Sequence, residues 1–192
     1  MSKLTFQVKS WVAVMVKARV FQHAFVQAFC ASWLIVFATQ IKVPFYPVPT
    51  TMQSFTIMLV SLLATRRTAV GAVFLYLTYG AIGIPVFANG VEGLSIFTGP
   101  TAGYLLGFIL MANAIAKIKQ RYPDSRFRRL FGLLLLSNII CLFVPGLCWL
   151  AYLLGWKKAL QVGLLPFLLI LPTKTALAAY LSVYIRERYA KI

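Results

Sequence analysis

The sequence predicts an all-α membrane protein of six transmembrane helices, with both ends on the cytoplasmic side. Three observations predict it. Hydrophobic residues fill 61% of the 192 positions and charged residues only 11%, whereas a soluble domain is about 45–50% apolar and about 25% charged. The apolar residues fall in runs near the roughly 20-residue length that spans the hydrocarbon core of a bilayer. The 19 Lys and Arg lie in short clusters between those runs, as the positive-inside rule expects. The same scatter excludes a nucleic-acid partner, because a net charge of +16 without one basic face gives no electrostatic footprint for a phosphate backbone.

Residues 1–20 read as a basic amphipathic arm, with Lys3, Lys9, Lys17 and Arg19 around a short apolar segment. A cleavable leader is the weaker reading, since no small-residue site follows a clean apolar core. The transmembrane domain is assigned to residues 21–192. Its first span runs from Phe21 to Ile41, the second over about Thr51–Thr65, the third over about Thr68–Ile84 and the fourth over about Thr101–Ile118. The fifth covers Leu130 to about Leu154, with a bend expected at Pro145-Gly146. The sixth ends near Ile185. Pro166 and Pro172 break a helix interior, so 156–171 is expected to be a short surface helix followed by an extended stretch. Pro172 then falls in the first turn of the last helix, where a missing N–H is harmless.

With the N-terminus inside, the cytoplasmic segments hold fifteen Lys and Arg and the outer loops three, namely Lys42, Lys157 and Lys158, with Lys174 near the last span. This asymmetry requires an even number of spans and places loops 42–50, 85–100 and 156–173 outside. Those loops are unusual for a membrane protein. They carry Pro47-Val48-Pro49-Thr50-Thr51-Met52-Gln53, Gly83-Ile84-Pro85-Val86-Phe87 and Gly99-Pro100-Thr101-Ala102-Gly103-Tyr104-Leu105-Leu106-Gly107-Phe108. Irregular backbone at membrane depth persists only where protein or a water-lined cavity satisfies its polar groups. The run therefore points to a polar pocket opening outward.

Much chemistry is missing. The three acids, Glu92, Asp124 and Glu187, all lie outside the spans, so no intramembrane carboxylate serves a proton- or sodium-driven carrier. The single histidine, His23, stands at the start of the first span without a metal-ligand cluster or nucleophile around it. No phosphate-binding Gly-x-x-x-x-Gly-Lys-Ser/Thr loop exists, so the chain does not itself hydrolyse ATP. Cys30, Cys141 and Cys148 form no Cys-x-x-Cys pair and are expected to be small buried packing residues. No cofactor is called for. What remains is a membrane binding protein that lacks an energy source of its own.

The three loop blocks, in this order and spacing, resemble the BioY family, the biotin-specific S components of energy-coupling-factor transporters. The likeness covers about residues 20–190 and extends to Trp149, Gly155-Trp156, Ala159, Pro166-Phe167 and Lys174. It implies a six-helix fold in the cell membrane, an outward vitamin pocket capped by loops, and three partners: a transmembrane coupling protein and two ABC-type ATPase subunits. It further implies that small residues on the first helix dock the coupling protein. Ala24, Ala28 and Ser32 lie four apart on one face of that helix, a spacing that equally suits packing within the domain. Several positions depart from the pattern, Thr50 and Ala102 among them, which stand where Ile and Gly are usual. Where the family has an Asp three residues before the lysine, this chain has Leu171, and the outer Phe-Ala-Gly-Gly is Phe87-Ala88-Asn89-Gly90, followed by Glu92.

Biotin offers two ureido N–H donors, a carbonyl, an apolar thiophane and a valerate carboxylate, so its pocket needs acceptors, a donor, apolar walls and a cation. Gln53 and Asn89 each supply donors and an acceptor, or serve as a helix-end residue and a turn residue respectively. Glu92 stands in for the missing Asp or is a solvated loop acid. Lys174 meets the ligand or snorkels. Tyr104 and Phe87 are expected to wall the pocket. Because of Leu171, another small vitamin or a lipoate-like acid is the alternative substrate; a scaffold or enzyme of unknown chemistry is the alternative class.

Overall fold

A computed structural model describes residues 23–43, 50–90, 92–168 and 170–189. The expected arm at 1–20 lies outside the described residues. Among the described residues seven helices follow in order: α1 Ala24–Gln40, α2 Gln53–Leu63, α3 Arg66–Ala81, α4 Ala102–Arg121, α5 Phe127–Leu154, α6 Trp156–Gly163 and α7 Ile170–Tyr189. A two-residue ribbon, β1 Lys42–Val43 and β2 Thr50–Thr51, pairs antiparallel between α1 and α2, with Lys42 opposite Thr51. Short 3₁₀ turns at Ala88–Gly90 and Leu94–Phe97 join α3 to α4.

Helices α4 and α5 are individually long and apolar enough to cross a membrane, and α6 with α7 passes the same test as a pair bent by 42°. Helices α1 and α2 are shorter apolar helices. At 1.5 Å per residue, the 11 residues of α2 reach roughly 17 Å, about half the hydrocarbon thickness. The ribbon leads directly into its start.

Most of the core is an apolar cluster that includes Ile35, Ile57, Met58, Tyr76, Met111 and Leu134, each fully or almost fully buried, with a small second cluster of Leu150, Ala151 and Ala159. Outside it, Phe25, Phe37, Phe74, Leu106, Ile140 and Tyr180 are exposed. Large apolar side chains on that surface identify lipid as the solvent of the bundle's sides.

Glycine governs the α4–α5 contact. A Cβ at Gly103 would fall on the Pro145 carbonyl and the Trp149 side chain, and one at Gly107 on the Cys141 and Leu142 carbonyls. The bend expected at Pro145-Gly146 takes a different form. The helix runs through Pro145 as one 28-residue element, and the irregularity is displaced into a π-turn over Asn138–Phe143. Proline cannot donate to Cys141 and its ring crowds that carbonyl. The wider turn just before it gives the carbonyls room, and Gly107 leaves them space on the facing helix.

Two other expectations change, and the small-residue stripe of α1 finds partners within the chain. After α6 the chain forms a 3₁₀ turn, Leu165–Phe167, instead of an extended stretch. All three cysteines are free; Cys30 and Cys148 are exposed instead of filling the core, whereas Cys141 is partly buried and packs against it, as expected. The Ala24, Ala28, Ser32 stripe is spent largely inside the domain. Ala28 is buried against Gly71 of α3, and the buried Ser32 hydroxyl meets the Tyr79 hydroxyl at 3.2 Å. Only Ala24 of the three is exposed. Small residues let α1 and α3 approach closely.

Candidate ligand-binding site

A cavity of about 680 Å³ opens at one end of the bundle, within the 300–1,000 Å³ of ordinary small-molecule sites. Helices α2, α4 and α7 all begin at it, contributing Gln53 and Ser54, Tyr104 and Leu105, and Ile170, Leu171 and Lys174 to its lining. Helix α5 ends there with Leu150 and Leu154, and the two cavity-facing loops add Thr50, Thr51 and Phe87.

The electrostatics of this end have one sign. The N-terminus of a helix carries about half a positive charge on unpaired N–H groups. Neither α2 nor α4 has a side-chain cap or an acid in its first turn. Lys174 adds a full charge and is only 7% exposed. Among the described lining residues it is the one charged group. All three acids of the chain are exposed and absent from that lining. A buried ammonium without a carboxylate partner is costly, so it holds what neutral acceptors exist. Its Nζ donates to the Thr51 carbonyl at 2.6 Å. An ammonium has three donors, and two remain for a ligand anion. Snorkelling does not describe this side chain, because it is buried and fixed to the ribbon.

Gln53 lies beside it. Its Nε2 donates to the Tyr76 hydroxyl at 3.0 Å, which orients the amide and leaves Oε1 as an acceptor. The apolar walls are aromatic. Phe87 is 2% exposed and stands edge-on to Tyr76, with ring centroids 5.4 Å apart. A Cβ at Gly80 would occupy the same space as the Phe87 ring, so that glycine admits it. Gln40, at the end of α1, donates to the Val86 and Phe87 carbonyls at 3.3 and 3.4 Å and holds the loop over the cavity. Tyr104 stands between Gly146 and Gly163, where a Cβ at either would strike it, and its hydroxyl donates to the Gly163 carbonyl at 3.0 Å. That bond fastens α6 to α4 across the cavity's side.

Four sequence-designated residues thus come together: Lys174, Gln53, Tyr104 and Phe87. Glu92 does not; it is exposed in the loop and absent from the lining. Asn89 falls in the 3₁₀ turn immediately after the lining residues Phe87 and Ala88, and its side chain lies outside what is described. Sequence reasoning missed Thr51, Tyr76, Phe143 and Phe167. Thr51 acts through its backbone, which no side-chain pattern reveals. Tyr76 sits in an apolar helix, where a buried hydroxyl calls for a partner. Trp149 had been noted without a role; its Nε1 donates to the Gly99 carbonyl at 2.9 Å and anchors the entry to α4.

The fold and the cavity together define a class: a multi-pass helical membrane protein with a largely apolar, small-molecule-sized cavity at one end of its bundle. The chain belongs to the BioY family, whose model matches residues 8–191. It is 34% identical over 154 residues to the biotin transporter BioY of Thermotoga maritima, covering 80% of this chain and 90% of the relative. It is 36% identical over 146 residues to the probable biotin transporter BioY of Pyrococcus horikoshii, covering 74% and 83%. Its fold matches the crystal structure of the S component for biotin from an ECF-type ABC transporter, with a TM-score of 0.72 over 84% of this chain and 89% of that one, at 22% identity.

Proposed function

We propose that this chain captures biotin from the outer side of the cell membrane and delivers it across with an ATP-driven coupling module. The observation that carries this reading is the cavity of about 680 Å³ in which Lys174 is the one charged group among the described lining residues. Biotin is an apolar bicycle with a carboxylate tail. Lys174 receives the carboxylate or the ureido carbonyl, with the N-termini of α2 and α4 adding positive potential. Gln53 Oε1 accepts from a ureido N–H, and Phe87, Tyr104 and Phe143 enclose the rings. Family membership and the names of the relatives support biotin as the substrate.

The reading includes six spans with both termini in the cytoplasm, the charge asymmetry being its support. It contains no chemical step, so accumulation against a gradient depends on partners: a transmembrane coupling protein and two ABC-type ATPase subunits. The reading takes the first-helix face at Ala24, Ala28 and Ser32 as the docking surface for that coupling protein, with Ala24 exposed on it. Radiolabelled biotin binding to the purified chain tests the capture step. Saturable binding displaced by unlabelled biotin is expected, and its absence sinks the reading. Uphill uptake should appear only when the ATPase subunits are co-expressed.

One observation favours a second substrate. Leu171 lines the cavity one turn before Lys174 and offers no acceptor for ureido N–H groups. A lipoate-like acid, which has a carboxylate and an apolar head without donors, suits that wall. Lipoate therefore belongs among the competitors, and its displacement of biotin at equal or lower concentration would make it the better ligand.

A further inference from the structure

The opposite end of the bundle carries an arginine-rich turn that the cavity does not use. Helix α4 ends at Arg121 and α5 begins at Phe127. Tyr122, Pro123, Asp124, Ser125, Arg126 and Arg129 line a hollow of about 440 Å³ there. The start of α5 is electrostatically inverted. Its first turn contains no acid and its N-cap residue, Arg126, makes no side-chain cap, while Arg128 and Arg129 follow directly. Helix N-termini favour anions and repel cations, so three arginines around one are unfavourable until an anion joins them.

A second observation is independent of the helix end. Ser125 is 6% exposed and lines the same hollow, yet its Oγ has no hydrogen-bond partner. Buried hydroxyls are normally satisfied, and an unpaired one calls for a missing acceptor or donor. The turn is also held in place. The Arg129 guanidinium lies 4.1 Å from the centre of the Tyr122 ring. Arg186 of α7 donates to the Pro123 carbonyl and, at 3.1 Å, to the Ser125 carbonyl. Asp124, the one acid on the rim, is exposed and opposes an anion.

We propose that this hollow binds a phosphate group, carried by an anionic phospholipid headgroup or free in solution. Arg126 and Arg129 supply charge-assisted donors, Ser125 donates its hydroxyl, and the N–H groups opening α5 complete the cradle. The hollow lies where α4 and α5 leave the apolar span, which is headgroup depth for a lipid phosphate.

The test uses the full chain in phosphatidylcholine nanodiscs with graded phosphatidylglycerol, read by native mass spectrometry of retained lipid and by thermal unfolding. A parallel arm adds inorganic phosphate to the chain in neutral detergent at constant ionic strength. Phosphatidylglycerol should be retained over phosphatidylcholine and should raise the unfolding temperature. Arg126→Gln should weaken its retention about fivefold, the typical effect of one basic residue at a membrane surface. Ser125→Ala should weaken it, Asp124→Asn should strengthen it, and Lys157→Gln at the other end should leave it unchanged. Stabilisation by inorganic phosphate as well supports the site and shows that the bare anion suffices; stabilisation by the lipid alone supports it and assigns the headgroup. Arg126 is exposed and caps nothing, so its variant tests binding without disturbing the fold. Equal retention of the two lipids, or undiminished phosphatidylglycerol retention by Arg126→Gln unfolding at the wild-type temperature in phosphatidylcholine, overturns the proposal.

Discussion

The Lys174 ammonium donates to the main-chain carbonyl of Thr51, 2.6 Å away and 123 positions earlier in the chain. One hydrogen bond thereby ties the last long helix to the β-ribbon and fixes the one charge of the cavity lining beside the start of α2. Three helices begin at this end, and the basic turn of α4–α5 lies at the other. The alternation follows from antiparallel connection: helices that start at the cavity present their positive ends to it. Lys174 adds to that field instead of neutralising it, which makes this end of the cavity favourable to an anionic or strongly accepting group.

Replacing the lysine tests this directly. Lys174→Met keeps the length of the chain and removes the charge. Biotin affinity should fall by about 1.5–3 kcal/mol, on the order of 10- to 100-fold, the usual worth of a charged hydrogen bond. Isothermal titration measures it, and thermal unfolding confirms that the variant folds. If the carboxylate is the partner, a biotin amide should bind wild type worse than biotin does and bind the variant about equally. Wild-type affinity in the variant would reduce the lysine to a strut for the ribbon.

The α4–α5 seam can be tested through Gly107. A side chain there meets the Cys141 and Leu142 carbonyls of the π-turn. These are backbone atoms that cannot rotate away. Gly107→Val should cost about 1–3 kcal/mol by overpacking and lower the unfolding temperature. Gly132→Val faces open space and should be nearly neutral. Equal effects from the two substitutions would show that the close approach is not what holds the seam.

Legibility followed the kind of signal each feature leaves. The helices were readable because lipid exposure writes itself as apolar runs, and the loops because proline and glycine punctuate them. The π-turn was not. Pro145 announces a distortion but not how the helix absorbs it, and that depends on Gly107 on another helix. Lys174 and Gln53 stood out as polar groups where few are tolerated. Thr51 could not, because its part is played by a carbonyl common to all residues. Ala28 and Ser32 were rightly seen as a close-packing face, yet spacing alone does not say whether the approaching helix belongs to the same chain. Here it is α3.

Membrane orientation is testable with single cysteines in a background lacking Cys30, Cys141 and Cys148. Glu92→Cys and Asp124→Cys suit the purpose, since both positions are exposed. Ser125 is too deeply buried to report access. An impermeant maleimide added to intact cells should label Glu92→Cys and spare Asp124→Cys until the cells are opened. The reverse pattern would invert the bundle and place the cavity inside.

The sharpest test of substrate identity is Leu171→Asp. Position 171 is one helical turn before Lys174, so the two side chains share a face of α7, and both line the cavity. Leucine there gives thiophane or dithiolane a wall but gives a ureido N–H nothing to bond. A carboxylate would accept that N–H, and the adjacent ammonium would offset the cost of burying it. If biotin's ureido ring rests at this position, Leu171→Asp should strengthen biotin binding by about 1.5 kcal/mol, or roughly tenfold. The same change should weaken lipoate, which has no donor to offer and would meet a polar wall. Leu171→Asn supplies an acceptor without charge and should shift both ligands in the same directions by less. Should biotin weaken in the aspartate variant while improving with asparagine, the new carboxylate has captured Lys174, placing the ligand's own anion on that lysine. Loss of both ligands in both variants would mean that the apolar wall at Leu171 is itself what the substrate needs, and a lipoate-like acid would then displace biotin as the better account of the cavity.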